Sequence, residues 1–129
     1  MAGIVGVGID AVDVGRFRDV LERRPLLVDR LFTQGERAYA RQVSDPTQRF
    51  AVRFAAKEAV LKSLGVGVGA AGMREIEVLR NEDGVPSLRL SGTAAALASR
   101  LGVSRWHLSL THTDIVAMAS VVAEGVVGS

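Results

Sequence analysis

The hydrophobic pattern of the first thirty residues predicts one strand followed by helices. Apolar side chains alternate with Gly6 and Gly8 between residues 4 and 10, which is typical of a strand with one bulky and one thin face. Glycines on a thin face let another backbone or a ligand come close. From 13 to 24 the apolar positions recur at helical spacing, and 26–32 predicts a short helix or a turn.

Helix-start signals mark the next two elements. Thr33 and Glu36 have the spacing of a capping box, so a helix is predicted from 34 to about 43. An Asp-Pro pair, with the aspartate as cap and the proline at the first helical position, opens the longest predicted helix, which occupies 45–64. Its alanines make it thin enough to pack closely against a sheet or another helix.

The second half of the chain predicts a glycine-rich loop, four more strands and one helix. The loop at 65–72 contains four glycines. The other elements are strands at 76–80 and 87–90 with a turn at 81–84, a helix capped by Ser91 and ending near 102, and strands at 106–110 and 115–122 joined by 111–114. This order predicts a single α+β domain over 1–129, with one long central helix packed on a mixed or antiparallel sheet.

Composition narrows the class of protein. A length of 129 residues with 48% hydrophobic residues suits one domain with a real core. The chain has no cysteine, which excludes disulfides, a thiol nucleophile and cysteine-ligated zinc. We expect neither a signal peptide nor a membrane span, because no basic region precedes the first apolar run and no run reaches about 20 residues. A cytoplasmic protein without a membrane partner is the expectation.

Charge is nearly balanced overall but uneven along the chain. The net charge of +2 does not by itself indicate nucleic acid, and aromatic residues, only 5%, do not interleave with the arginines as stacking platforms would. A basic module that binds nucleic acid is therefore the weaker alternative. Five arginines crowd the segment 16–30, which suggests an acidic partner, a phosphorylated ligand or simply a solvated helix face.

Three charged residues form the strongest candidate site. Glu58 and Lys62 are four residues apart, so they share one face of the long helix, and Asp10 ends the first apolar run. Two carboxylates suit Mg²⁺ beside substrate phosphates, and a lysine next to them suits a diphosphate. The alternatives are a helix cap at Asp10, a solvated Glu58, and a plain helical ion pair between Glu58 and Lys62.

Other polar positions have less specific signals. Lys57 points about 100° away from Glu58 on a helix and is expected to be a surface or phosphate contact. The glycines at 65–69 do not form a P-loop, because they lack the Gly-Lys-Ser/Thr ending and follow a helix. They can still form a flexible wall beside the helix end. His112, with hydroxyl groups such as that of Thr111 nearby, is either structural or a phosphate contact.

Three segments resemble motifs of the 4′-phosphopantetheinyl transferases. Gly6-Val7-Gly8-Ile9-Asp10, with Arg16 six residues on, is similar to the N-terminal motif, and Arg53-Phe54-Ala55-Ala56-Lys57-Glu58-Ala59-Val60-Leu61-Lys62 to the central motif. Ser109-Leu110-Thr111-His112-Thr113 resembles the C-terminal motif of the small class, the holo-acyl-carrier-protein synthases. Length and motif spacing agree over essentially the whole chain.

The resemblance implies a reaction. Coenzyme A would donate its 4′-phosphopantetheine to a serine of an apo acyl carrier protein or carrier domain, releasing adenosine 3′,5′-bisphosphate, in fatty-acid or polyketide synthesis. Asp10 and Glu58 would hold Mg²⁺ on the diphosphate, and Lys62 would neutralise the leaving phosphate. The serine is the nucleophile, so the enzyme needs none. Its proton would go to a metal-bound water or to Glu58.

The resemblance also assigns binding roles and an assembly. Residues that would contact coenzyme A are Arg53, Lys62, Gly65, Gly67, Thr111 and His112. Residues that would meet the acidic helix of the carrier protein are Arg16, Arg23 and Arg24. Small members of the family are homotrimers that share each active site between neighbouring subunits, which implies the same here. A degenerate subunit that binds coenzyme A without transferring it is the remaining alternative, and the intact Asp10, Glu58 and Lys62 argue against it.

Overall fold

The computed structural model describes residues 2–81 and 83–126, and over these the elements follow the predicted order. The helices are α1 Val14–Arg23, α2 Leu27–Leu31, α3 Gln34–Ala40, α4 Thr47–Ser63 and α5 Gly92–Arg100, with a single 3₁₀ turn at Met73–Glu75. The strands are β1 Ala2–Asp13, β2 Ile76–Arg80, β3 Pro86–Leu90, β4 Val103–His112 and β5 Val116–Val126. The predicted turn at 81–84 includes Glu82, which lies outside the described residues.

Every strand pairing is antiparallel. The main sheet has the order β1-β5-β4, and β2 and β3 form a separate hairpin whose second strand lies near β4. The long helix α4 packs chiefly on β1 and β5. This architecture confirms the predicted α+β class with a long central helix on an antiparallel sheet.

The small residues of α4 and β1 allow these two elements to pack closely. Ala55, Ala56 and Ala59 are fully buried. A Cβ atom on Gly6 would lie 1.8 Å from the Ser63 carbonyl oxygen, a distance that real Cβ atoms do not show. The thin face of the first strand therefore serves to admit a backbone, that of α4, rather than a ligand.

A second part of the core is aromatic and lies under α1 and α2. The Phe32 and Phe50 rings are 4.7 Å apart between centroids, and Phe17 lies 5.2 Å from Phe54. These rings hold the first helices against α4. Trp106 is partly buried against the main cluster of apolar residues.

The helix ends differ from prediction at α3, α4 and α5. Pro46 is the N-cap of α4 and not its first helical residue, and the Asp45 carboxylate accepts from the Thr47 N–H at 3.1 Å.

The capping box of α3 is confirmed, since the Thr33 hydroxyl accepts from the Glu36 N–H while the Glu36 carboxylate accepts from the Thr33 N–H. Helix α3 stops at Ala40, because the following positions are exposed and have no core surface to pack on. Ser91 is the N-cap residue of α5 as predicted, but its side chain makes no capping hydrogen bond. The Glu75 carboxylate instead accepts a 3.3 Å bond from the Ala94 N–H at the start of α5.

Strands of the main sheet run longer than predicted, because the ladder pairing continues through polar residues that the hydrophobic pattern does not mark. As a consequence Thr111 and His112 belong to the end of β4 and not to the connection after it. Among the described helices, none has the length and apolar character required to cross a membrane.

Candidate active site

The site begins with the contact between β1 and the C-terminal half of α4. Asp10 lies opposite Ala119 on the helix-covered face of the sheet. The Lys62 ammonium donates to the Asp10 carboxylate at 3.1 Å and to the Ile9 carbonyl at 3.0 Å. The lysine side chain is 54% exposed and the aspartate 18%, so the pair borders on solvent. The structure thus brings Asp10 and Lys62 together as predicted.

Glu58 completes this group from one turn earlier on α4. Burial and the negative charge of Asp10 raise the pKa of the Glu58 carboxyl, while the positive charge of Lys62 acts against them. Within the described residues the Glu58 carboxylate forms no hydrogen bond and no ion pair, so Asp10 and Lys62 act on it only through their charges. Two carboxylates beside one lysine repel each other, and a bound cation would reduce this repulsion.

The donor set fits a magnesium ion. Within the part of the chain that the structure describes, no group of three or more histidine, aspartate or glutamate side chains gathers as a protein-only metal site. Magnesium commonly takes one or two carboxylates and fills its other positions with water and substrate phosphates. Asp10 and Glu58 provide that number of ligands, on a face open to solvent.

Lys57 is not a surface or phosphate contact, and this expectation was wrong. Its side chain is fully buried, and its ammonium donates to the Glu36 carboxylate at 2.8 Å and to the carbonyls of Met73 at 2.8 Å and Ile76 at 2.5 Å. All three ammonium donors are used. Glu36 also accepts from the Val78 N–H at 2.9 Å. The pair therefore joins α3, α4 and the start of β2.

A second polar region lies on another side of α4. It is a cleft of about 620 Å³, which we call the arginine cleft, and its lining includes Tyr39, Arg49, Arg53, Arg80, Thr111 and His112. Arg53 is 3% exposed, and its Nε atom has no hydrogen-bond partner within the described residues. Burial lowers the pKa of Arg53 from its usual range. Three guanidinium groups, a histidine and a hydroxyl group there would suit an anion.

The predicted coenzyme A contacts therefore fall into two groups. Arg53 and Lys62 are nine residues apart, which places them about 180° apart around the helix axis. The arginine cleft and the Asp10–Glu58–Lys62 group consequently lie on opposite sides of α4. Gly65 follows the C-cap of α4, at the helix end that carries Lys62, and its N–H donates to the Lys62 carbonyl at 3.0 Å. Both Gly65 and Gly67 have open space where a Cβ would stand.

The predicted carrier-protein contacts share one surface on α1. Arg16 and Arg23 are seven residues apart and lie within about 20° of each other around the helix. Both are exposed, as is Arg24, which follows the last helical residue. Arg23 and Arg24 line a shallow groove together with Leu26, which is 77% exposed. The surface combines positive charge with an exposed apolar side chain.

Sequence reasoning missed three residues of the arginine cleft, namely Tyr39, Arg49 and Arg80. A signal existed for Arg49, because it precedes Arg53 by four residues and so shares its helix face. No local signal marks Tyr39 or Arg80. They come from α3 and from the end of β2, and only the tertiary fold brings them to the cleft.

An antiparallel α+β fold with two carboxylates and a lysine grouped on one side of a long helix is the arrangement that the structure itself provides. Comparison with known proteins identifies the family. Residues 6–119 match the model of the 4′-phosphopantetheinyl transferase superfamily. The chain belongs to this superfamily, in its holo-acyl-carrier-protein synthase group, and the resemblance drawn from its motifs is confirmed.

Individual relatives are similar in sequence and in structure to nearly the whole chain. A holo-[acyl-carrier-protein] synthase of Frankia casuarinae is 53% identical over 94% of this chain and 98% of the relative. The crystal structure of the holo-[acyl-carrier-protein] synthase of Neisseria meningitidis matches with a TM-score of 0.85 and 30% identity, over 94% of this chain and 98% of the other. That of Bacillus anthracis, in complex with coenzyme A (3′,5′-ADP), matches with a TM-score of 0.80 and 33% identity, over 95% and 98%.

Proposed function

We propose that this protein transfers 4′-phosphopantetheine from coenzyme A to a serine of an apo acyl carrier protein. The observation that carries the proposal is the convergence of Asp10, Glu58 and Lys62 at the β1–α4 contact of a chain that belongs to this family. The solved relatives whose names include coenzyme A support the choice of donor. Fatty-acid or polyketide synthesis would use the product.

The bond changes place few demands on the protein. The serine oxygen forms a bond to the β-phosphorus of coenzyme A, the bond from that phosphorus to the bridging oxygen breaks, and the serine proton passes to a base, which would be Glu58 or a water molecule. Adenosine 3′,5′-bisphosphate leaves with the bridging oxygen. Charge grows on the leaving phosphate, and Lys62, whose ammonium is half-exposed, is in position to neutralise it. Positioning and charge stabilisation account for the catalysis, so no protein nucleophile is required.

Asp10 and Glu58 are the residues that would hold Mg²⁺. The ion, when bound, supplies positive charge to the diphosphate and orients it. Burial and the repulsion between the two carboxylates both raise the pKa of Glu58, and a bound cation would oppose that repulsion. We therefore expect activity to depend on a divalent cation.

The far end of coenzyme A belongs in the arginine cleft of a neighbouring copy. Arg53, Thr111 and His112 would bind the 3′-phosphate, whereas Gly65 and Gly67 would line the diphosphate beside Lys62. One molecule of coenzyme A that contacted both groups within one protomer would have to pass around α4, because they lie on its opposite sides. Sharing the site between subunits removes this difficulty.

The uncovered face of the main sheet supports such an assembly. Ile4, Val7 and Ile9 on β1 are 57%, 64% and 60% exposed, and Val7 pairs with Val122 on the same face. A contiguous apolar strip of this kind is typical of an interface. We propose that it packs against further copies to form the homotrimer, and light scattering of the Val7→Asp variant should then show monomers.

The exposed arginines of α1 are proposed to dock the acidic helix of the carrier protein. Arg16→Ala should raise the KM for the carrier several-fold, while the KM for coenzyme A stays unchanged, because a rim charge mainly affects encounter with its partner. Arg100→Ala, on exposed α5, is the matched control. Equal effects of Arg16→Ala on both substrates would contradict the docking role.

Intact-mass spectrometry of an apo acyl carrier protein tests the reaction directly. After incubation with this protein, coenzyme A and Mg²⁺, the carrier should gain about 340 Da, the mass of one phosphopantetheine, and chelator should prevent the gain. A carrier that another transferase modifies and this protein leaves unchanged would count against the proposal.

We propose a cytoplasmic location on the sequence alone, which contains no cysteine.

A further inference from the structure

Tyr39 is surrounded by guanidinium groups. The guanidinium carbons of Arg49, Arg53 and Arg80 lie 4.1, 4.3 and 5.8 Å from the centroid of its ring. Arg80 also donates to the Tyr39 hydroxyl at 3.0 Å, and Arg49 donates to the Tyr39 backbone carbonyl at 2.8 Å. One side chain thus contacts three arginines that come from two different elements, α4 and β2.

The charges of these three arginines are not matched by ion pairs in the described part of the chain, and Glu36, whose charge acts on Arg53, is itself paired with Lys57. Within residues 2–81 and 83–126, none of them forms an ion pair with an aspartate or glutamate. Asp45, which also lines the cleft, pairs with Arg18 at 2.9 Å. Partial burial acts to raise the pKa of the Tyr39 hydroxyl, but the Arg80 hydrogen bond and the three positive charges outweigh it and lower the pKa. Tyr39 therefore lies in a strongly positive field.

A ring face is suited to hold arginines that must stay available. A carboxylate in this position would neutralise the guanidinium groups and occupy their donors. An aromatic face attracts them through its quadrupole and leaves the N–H donors at the guanidinium edge free. Arg53 shows the result, since its Nη1 bonds only the Arg49 carbonyl, at 3.2 Å, and its buried Nε has no partner within the described residues.

We propose that Tyr39 is a positioning residue that holds Arg49, Arg53 and Arg80 together in the arginine cleft without neutralising them, so that the cleft selects a donor bearing a phosphate monoester. The role rests on the proposed use of this cleft for the 3′-phosphate of coenzyme A. Tyr39 does not touch the phosphate in this scheme. It sets the spacing of the groups that do, and so determines the preference for coenzyme A over its 3′-dephospho form.

The test compares these two donors in the transfer reaction with an apo acyl carrier protein. Wild type should have a higher kcat/KM with coenzyme A than with 3′-dephospho-coenzyme A. Tyr39→Leu removes the ring but keeps the backbone carbonyl, and should reduce this preference about tenfold through the KM for coenzyme A. Its kcat, and its kcat/KM with the dephospho donor, should change little. Tyr39→Phe keeps the ring and should keep most of the preference.

Phe50→Leu is the matched control for a purely structural effect. Phe50 is 2% exposed in the aromatic core, so its replacement should lower the thermal midpoint without changing the donor preference. If Tyr39→Leu slows both donors equally, or keeps the full preference, Tyr39 has no positioning role. If Tyr39→Phe loses as much of the donor preference as Tyr39→Leu does, the ring face is not what holds the arginines.

The same data separate the inference from the function on which it rests. Equal kcat/KM values of wild type for the two donors would overturn the assignment of the cleft to the 3′-phosphate, and the inference with it. If Tyr39→Leu does not fold, Arg80→Gln decides, because Arg80 is exposed and bonds the Tyr39 hydroxyl. It should reduce the preference several-fold. An unchanged preference in that variant would contradict a joint role of the three arginines.

Discussion

Helix α4 carries two lysine–carboxylate pairs that differ in their surroundings. Lys57 and Glu36 are both fully buried, and every ammonium donor of the lysine has an acceptor. Lys62 lies five residues further along α4 and about 140° around it, and it pairs with Asp10 of β1 at a position that borders on solvent. The first pair connects elements of the fold, whereas the second keeps its charges accessible to a ligand.

The difference shows what makes a charged pair structural or functional. A buried lysine is tolerated only where its charge and all its hydrogen bonds are matched, and such a group has no capacity left for a substrate. The group around Lys62 has the opposite property. Its neighbour Glu58 has a raised pKa because burial and Asp10 oppose its charge, so binding of a cation can improve the local electrostatics.

The strongest way to test the functional side of this comparison is Glu58→Gln. We expect transfer activity to fall by roughly 100-fold or more, since a charged group at the reacting phosphates is lost. Stability should be unchanged or slightly higher, because the substitution removes a carboxylate whose charge the fold opposes. Activity by mass spectrometry and stability by thermal unfolding are the measurements. Asp83→Asn, at an exposed turn residue, controls for loss of one charge. Wild-type turnover in Glu58→Gln would refute the metal-site assignment.

The same substitution at the two lysines compares the pairs directly. Lys57→Met leaves the buried Glu36 charge without its partner and should cost about 3–5 kcal/mol of unfolding free energy. Lys62→Met removes an exposed pair and should cost about 1 kcal/mol or less, while transfer activity falls sharply. Urea unfolding and the transfer assay measure the two effects. Equal losses of stability in the two variants would show that burial does not distinguish the pairs.

The sequence predicts a charged pair only when its partners are related by local spacing along the chain. Glu58 and Lys62 share a helix face by spacing alone, and the glycines of β1 indicate close packing near Asp10. Lys57 could not be assigned in this way. Its acceptors are on α3, in the 3₁₀ turn and at the start of β2, and only the tertiary fold brings them to α4.

Element order was predictable for a related reason. The capping box of α3 and the hydrophobic periods of α1 and the strands are local signals, and the structure confirms them. The side-chain cap of α5 could not be predicted, because the Glu75 carboxylate accepts from the Ala94 N–H across a separation of nineteen residues in the chain. The arginine cleft likewise depends on Tyr39 and Arg80, which the helical spacing of Arg49 and Arg53 does not locate. Long-range contacts account for each of these misses.

A smaller effect tests how β1 holds Asp10 beside α4. A Cβ on Gly8 would lie 1.9 Å from the Ala59 carbonyl oxygen, so Gly8→Ala must push the strand away from the helix. We expect a loss of about 1–3 kcal/mol in unfolding free energy, with reduced transfer activity because Asp10 moves relative to Glu58. Gly67→Ala, where no atom lies within 4 Å of the added Cβ, should change stability by about 0.5 kcal/mol or less. A stable Gly8→Ala variant would contradict the packing argument.

A third pair, Arg89–Glu77, lies between the two extremes and gives the smallest predicted effect. The Arg89 guanidinium lies 2.6 Å from the Glu77 carboxylate. The arginine side chain is 67% exposed and the glutamate side chain is 13% exposed. Burial acts to raise the pKa of Glu77, but hydrogen bonds from Thr33 and Arg89 outweigh it and lower the pKa below its usual value. A lowered folded-state pKa stabilises the protein above the unfolded-state pKa, and this contribution is lost as pH falls through the folded-state value.

Arg89→Leu should therefore cost about 0.5 kcal/mol or less at neutral pH, since solvent screens the exposed guanidinium. The cost should disappear below the lowered pKa of Glu77, where the carboxyl is protonated in both variants and the pair contributes nothing. Urea unfolding of wild type and variant across the acidic range measures the difference. A cost that persisted in acid would mean that the Arg89 side chain stabilises the hairpin by packing on Glu77 rather than by charge, and exposure would then be a weaker guide to the role of an ion pair.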